Sequence, residues 1–123
     1  MKAKQIMQQR KATILEQQIS ANKAILTLQI DAEIADFEGH FLKYPLLPGV
    51  TQIDWAIFYG KKLLNTGTRF AGMEVIKFQE PILPNSIVLL TLTWDAEKQK
   101  LHFTYNSESS QYSSGRIKLL LSE

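Results

Sequence analysis

Pro48-Gly49-Val50-Thr51-Gln52-Ile53-Asp54-Trp55-Ala56-Ile57-Phe58-Tyr59-Gly60-Lys61-Lys62-Leu63-Leu64-Asn65-Thr66-Gly67 decides the fold. Val50, Ile53, Trp55, Ala56, Ile57, Phe58, Tyr59, Leu63 and Leu64 are too dense for a single apolar stripe, and a helix apolar nearly all round is a buried one. The segment opens on Pro-Gly. Lys61 and Lys62 sit where cations favour a helix C-terminus, and Asn65 and Gly67 then mark its stop. One buried helix is expected here.

On either side of this helix the pattern has a period of two. Ala12 to Ile19 and Lys23 to Ile30 alternate apolar with polar residues around Ser20-Ala21-Asn22, which predicts a hairpin. Asp31 to Tyr44 reads as irregular, and Pro45 and Pro48 punctuate its end. Beyond the helix, strands are expected over Phe70–Gln79, Ile87–Asp95, Lys100–Asn106 and Tyr112–Leu121, separated by polar or proline-bearing connections. Six strands and one helix have one economical packing, an antiparallel sheet curled around the helix in an α+β domain. A chain this short buries a smaller fraction of its surface than a larger one, so pairing of two such units is expected to cover the helix and the sheet edges.

Composition narrows the function. The 123 residues suit one domain, 1–123. A net charge of +2 is too small to indicate nucleic-acid binding, and no cysteine is available for disulfides, thiolate metal sites or a thiol nucleophile. Two histidines without cysteine make no structural zinc site, so neither metal nor cofactor is expected. The basic start is not followed by an apolar core of a leader, and no run of apolar residues could span a bilayer, which reads as a cytoplasmic chain.

The chemistry-bearing segment is Phe37-Glu38-Gly39-His40-Phe41-Leu42-Lys43-Tyr44-Pro45-Leu46-Leu47-Pro48-Gly49 and on to Asp54. His40 lies in an irregular stretch, Gly49 at a helix start where free N–H groups point outward, and Asp54 one turn inside an apolar helix. Singly, each has an ordinary structural explanation: a hydrogen-bonded surface histidine, a glycine at a turn, a paired aspartate. Together they put a base, an oxyanion site and an acid within fifteen residues. His102, in an alternating strand, reads as structural, and Trp94 and Phe103 as packing. Lys43, Lys61, Lys62, Arg69 and Lys77 read as solvated surface that an acidic carrier could meet.

The segment resembles the FabA/FabZ-type 3-hydroxyacyl-acyl-carrier-protein dehydratases, which have the hot-dog fold. Gly39-His40-Phe41, Pro45, Pro48-Gly49 and Asp54, fourteen positions after His40, fall in register with their signature. Phe70-Ala71-Gly72-Met73, Phe78, Pro81 and Pro84, then Ser114-Gly115 before Ile117-Lys118-Leu119, look like the family's later strands. Asp54-Trp55 is similar to the small stand-alone dehydratases of aryl-polyene pathways, the ApeI-like branch. The resemblance implies that His40 is the base, Asp54 the acid and the Gly49 N–H an oxyanion donor, with Val50 and Phe41 beside the substrate. It also implies an acyl-carrier-protein-bound or CoA-bound 3-hydroxyacyl thioester as substrate, and a homodimer or hot-dog heterodimer whose sites pair His40 of one chain with the acid of the other.

The implied roles make physical sense. A thioester acidifies its C2 proton for a neutral imidazole, and an N–H at a helix N-terminus stabilises the enolate oxygen. The C3 hydroxyl leaves only if protonated, which asks Asp54 to hold a proton, and burial among Ile53, Trp55, Ile57 and Phe58 is expected to favour that. Two departures stand out. Leu42-Lys43 replaces a Pro-Gly common after His-Phe, and Phe58 replaces a glutamine common one turn after the acid. A hot-dog thioesterase and a non-catalytic acyl-binding subunit therefore stay open as alternatives, since the fold alone does not separate them.

Overall fold

The computed structural model describes residues 9–38 and 45–121. Six strands form one antiparallel sheet: β1 (Thr13–Ile19), β2 (Lys23–Gln29), β3 (Arg69–Phe78), β4 (Ile87–Asp95), β5 (Lys100–Asn106) and β6 (Gln111–Leu120). The spatial order is β1-β2-β4-β5-β6-β3, so the two chain-adjacent strands β2 and β3 are separated by the whole later meander. Between them lie a short 3-10 turn at Ala35–Phe37 and the single helix α1 (Gly49–Leu64). All six expected strands and the helix are present, each within a residue or so of its expected bounds.

Alternation builds the core. Leu26 and Leu28 of β2, Leu90 and Leu92 of β4, Leu101, Phe103 and Tyr105 of β5, and Ile117 and Leu119 of β6 point to one face and are buried there. Trp55, Ala56, Tyr59 and Leu64 of the helix lie on that layer. Gly60 lets the helix approach the sheet closely: a Cβ there would stand 2.6 Å from Leu101 Cδ2. Trp94 and Phe103 are core residues, as expected, while His102 stands exposed on the other face.

The helix begins after Pro48, whose carbonyl accepts the Thr51 and Gln52 N–H groups at 3.1 and 3.2 Å. It stops at Asn65, which adopts the left-handed conformation at φ 54° and ψ 46°. One expectation fails in the single chain. The helix is not buried all round; Val50 and Phe58 are exposed at 66% and 40%, and Asp54 is exposed between them. The dense apolar pattern serves two faces, and this chain's own sheet covers only one.

The edge strand β3 is the other incomplete surface. Phe70, Met73 and Phe78 are each about half exposed. Its ladder with β6 breaks twice, between Phe70 and Gly72 and between Glu74 and Lys77, and Val75 in the second break has φ 52°. A β-branched residue in that region is a strained one. Glu74 turns to the outer face, where it meets Lys100 at 3.0 Å and Arg116 at 3.6 Å. The Lys100 hydrogen bond first, and the surrounding cations with it, hold the Glu74 carboxyl below its usual value.

Candidate active site

Gly49 is the first helical residue, and Pro48 before it supplies no side-chain cap. The first amides of a helix have no partner within it, and those of Gly49 and Val50 find no acceptor among the described residues. Gly49 opens onto a cleft of about 410 Å³ with Leu46, Leu47, Gln52 and Phe78. The Phe78 ring crosses over it so closely that a Cβ on Gly49 would lie 2.6 Å from the ring's Cζ. Only a glycine accommodates this approach without moving the ring.

Asp54 is exposed on the open face of the helix, contrary to its expected burial, because the described residues cover that face only in part. It lines a second cleft, of about 460 Å³, with Thr51, Trp55, Ile57, Phe58 and Lys61 of the helix and Arg10, Lys11 and Asp36 from outside it. Gly49 and Asp54 are five positions apart, about 7.5 Å along the axis. In the single chain they therefore open into different clefts. His40 and Phe41, the other two expected site residues, lie outside the described residues, as does Lys43.

The neighbours of Asp54 escaped the sequence reading. The segment before β1 crosses the helix beside it and is tied down at several points. Ala35 donates to the Gln9 carbonyl at 2.8 Å, and Trp55 Nε1 donates to the Arg10 carbonyl at 3.2 Å. Asp36 accepts from Thr51 Oγ1 at 2.6 Å and from Arg10 Nε at 3.1 Å. Lys11 Nζ sits 4.1 Å from the centre of the Phe58 ring and Lys62 Nζ 5.6 Å, so two ammonium groups flank the aromatic ring one turn beyond Asp54. A signal of this in the sequence was Thr51, a polar residue in the first turn of a helix rich in apolar ones.

Asp31 fixes the same segment from below. Its carboxylate accepts from Thr13 Oγ1, Gln9 Nε2 and Gln29 Nε2, each at 2.6 Å. The Thr13 hydrogen bond, with those of the two glutamines, holds Asp31 below the ordinary aspartate value. Across the core, desolvation pushes the Tyr105 hydroxyl well above its usual range. No group of His, Asp or Glu among the described residues is placed to hold a metal. No helix among them is long and apolar enough to cross a membrane.

Similarity to known proteins identifies the family and the fold. The ApeI-like family, described as ApeI dehydratase, matches residues 16–116. A 3-hydroxyacyl-[acyl-carrier-protein] dehydratase FabZ of Koribacter versatilis is 34% identical over 76 residues, which cover 53% of this chain and 49% of that protein. The chain thus spans about half the length of that curated relative. A chain of the dehydratase heterocomplex ApeI:P from Xenorhabdus doucetiae superimposes with a TM-score of 0.82 at 38% identity, over 88% of this chain and 96% of that one. An uncharacterized protein from Erwinia carotovora subsp. atroseptica does so with a TM-score of 0.75, also at 38% identity, over 94% and 98%. With the family match over residues 16–116 and the shared sheet-and-helix fold, the chain belongs to the ApeI-like dehydratases, a branch of the FabZ-type hot-dog family.

Proposed function

We propose that the protein is a 3-hydroxyacyl thioester dehydratase acting in the cytoplasm on substrates carried by an acyl carrier protein or coenzyme A, in fatty-acid or polyene-type synthesis. The observation that carries this is the placing of Asp54 on an open helix face, just over one turn beyond the Gly49 amide, which finds no acceptor among the described residues. The Asp54 carboxylate has no hydrogen-bond or ion-pair partner among those residues either. It is poised for a group brought by something else.

His40 then removes the C2 proton, and the enolate oxygen is held by the Gly49 N–H at the positive end of the helix. The C3–O bond breaks as Asp54 delivers a proton to the hydroxyl. Water leaves, and the electron pair from C2 becomes the double bond of the trans-2-enoyl thioester. Val50 and Phe41 border the reacting carbons. His40 keeps the C2 proton and Asp54 has lost its own, so a net proton passes from histidine to aspartate before the next turnover.

The site is shared between two hot-dog subunits. A half-covered helix, an unpaired β3 edge and apolar side chains along it support this. The second subunit is a copy of this chain or a different hot-dog chain; the relative from Xenorhabdus doucetiae is described as part of a heterocomplex. A second reading, in which this chain is a non-catalytic partner, draws on Phe58, which puts an aromatic ring clasped by two lysines where an amide could have met Asp54.

One experiment separates these. The purified chain is assayed for enoyl absorbance and for free thiol on a 3-hydroxyacyl carrier thioester, as wild type, as His40→Ala, as Asp54→Asn and as a refolded mixture of the two variants. Each variant alone should be inactive. In the mixture one site of each mixed dimer regains both groups, and about a quarter of wild-type activity should return. Thiol release without enoyl product would make the protein a thioesterase. No turnover by the wild type, alone or with a hot-dog partner, would make it non-catalytic.

A further inference from the structure

Gln52 is a polar residue in the second turn of the helix, and it is 3% exposed. Its carboxamide is used at both ends. Nε2 donates to the Leu47 carbonyl at 3.1 Å, and Oε1 accepts from Ser113 Oγ of β6 at 2.6 Å. Its backbone carbonyl accepts the hydroxyl of Tyr105, a fully buried side chain of β5, at 2.7 Å. Ser113 is buried as well. Two buried side chains and one backbone carbonyl thus converge on one residue, and every polar atom named has a partner.

Such a network is an odd choice for holding a helix on a sheet. Replacing both partners of a buried hydrogen bond by apolar groups of the same shape is nearly neutral for stability. Trp55, Ala56, Tyr59 and Leu64 already anchor the helix by apolar contact. What apolar contacts do not supply is direction, which a satisfied buried network does. The network's position gives that direction a purpose. Leu47 precedes Gly49 by two residues and Gln52 follows it by three, so the Gly49 peptide is clamped from both sides. Gln52 also borders the cleft into which Gly49 opens.

We propose that Gln52 is a positioning residue for the dehydration: its carboxamide locks the peptide before the helix to β6 and so fixes the aim of the Gly49 N–H at the enolate oxygen. This rests on the reading of Gly49 as the oxyanion donor. An oxyanion donor must meet the developing charge within a few tenths of an ångström, and small misplacements are costly in rate. The same clamp fixes the chain as it enters the helix, since Leu47 is the last residue but one before it.

The isosteric Gln52→Glu variant tests it. A neutral glutamic acid can still donate to the Leu47 carbonyl and accept from Ser113. Once ionised it has no proton for Leu47 and repels that carbonyl. A buried carboxyl ionises at a raised pH, so kcat relative to wild type should be near normal at about pH 5 and fall by about pH 8. Gln52→Met keeps the length and removes both bonds; kcat per folded protein should drop about 10- to 100-fold at every pH, with KM within about twofold. Ser113→Ala, a milder change, should give a smaller loss in the same direction. The amide resonance of Gly49 should move in Gln52→Met, and with pH in Gln52→Glu.

Folded Gln52→Met and Ser113→Ala proteins with wild-type kcat, or a Gln52→Glu ratio flat with pH, would overturn the positioning role and leave the dehydratase reading standing. If the wild type itself does not dehydrate 3-hydroxyacyl thioesters, both readings fall together.

Discussion

Replacing Gly49 by alanine separates the stability of the helix start from its chemistry. The new Cβ would stand 2.6 Å from Phe78 Cζ, 2.9 Å from Cε1 and 3.1 Å from Cε2. Carbon atoms prefer roughly 3.5–4.0 Å, so the ring must retreat by about 1 Å. It can do so, because Phe78 is 53% exposed and lies on an edge strand. If the retreat uncovers roughly 40 Å² of apolar surface, the cost is about 1 kcal/mol at 25 cal/mol per Å². Alanine returns up to about 1 kcal/mol over glycine in helical backbone. Thermal or urea unfolding should therefore differ from wild type by less than about 1 kcal/mol. Activity should not survive so well. The methyl and the displaced ring stand beside the amide that the enolate oxygen must approach, and losing one oxyanion donor costs about 10²–10³ in kcat. Enoyl-thioester absorbance measures the rate. A variant with wild-type kcat/KM would refute the role given to Gly49. A loss of 3 kcal/mol or more would instead show that Phe78 is not free to move.

Two further outcomes follow from the same kind of reasoning. Gly60→Ala puts its Cβ 2.6 Å from Cδ2 of Leu101, a fully buried side chain with nowhere to go, so overpacking should exceed the helix gain and destabilise by about 1–2 kcal/mol in urea unfolding. Asp31→Asn should lower the melting temperature at neutral pH. The folded-state value of Asp31 is depressed, so its contribution is present above 3.8 and is lost as the pH falls through the lower folded value. Melts of wild type and variant should therefore draw together as the pH falls below 3.8, and a difference that stays constant to the lowest pH at which the protein folds would show that the charge is not what Thr13, Gln9 and Gln29 hold.

Much of this architecture was legible in the chain because its two periods differ. The alternation in Lys23–Gln29, Ile87–Asp95 and Lys100–Asn106 matches the buried face residue by residue, and Asn65 stops the helix where its sequence context suggests. The state of the open helix face was not legible. Ile53, Ile57 and Phe58 look the same in sequence whether a chain covers them itself or leaves them for another. The expected burial of Asp54 failed for that reason. Long-range polar ties were equally hidden: Arg10 reaches Asp36 and Trp55, and Gln52 reaches Ser113 across sixty-one residues. No period relates such positions. Val75 gives no hint of its positive φ either, since a valine flanked by Glu74 and Ile76 reads as ordinary strand.

Both end strands of the sheet leave apolar side chains exposed, Phe70, Met73 and Phe78 on β3 and Ile14, Leu15 and Ile19 on β1. Both are also interrupted: the β3 ladder breaks twice, and β1 pairs irregularly between Ile14 and Glu16, where Glu16, Gln17 and Gln18 follow. A long, flat, regular edge is a template on which strand after strand can be laid, and neither end of this sheet offers one. The breaks therefore guard the molecule against open-ended, fibre-like growth from either side.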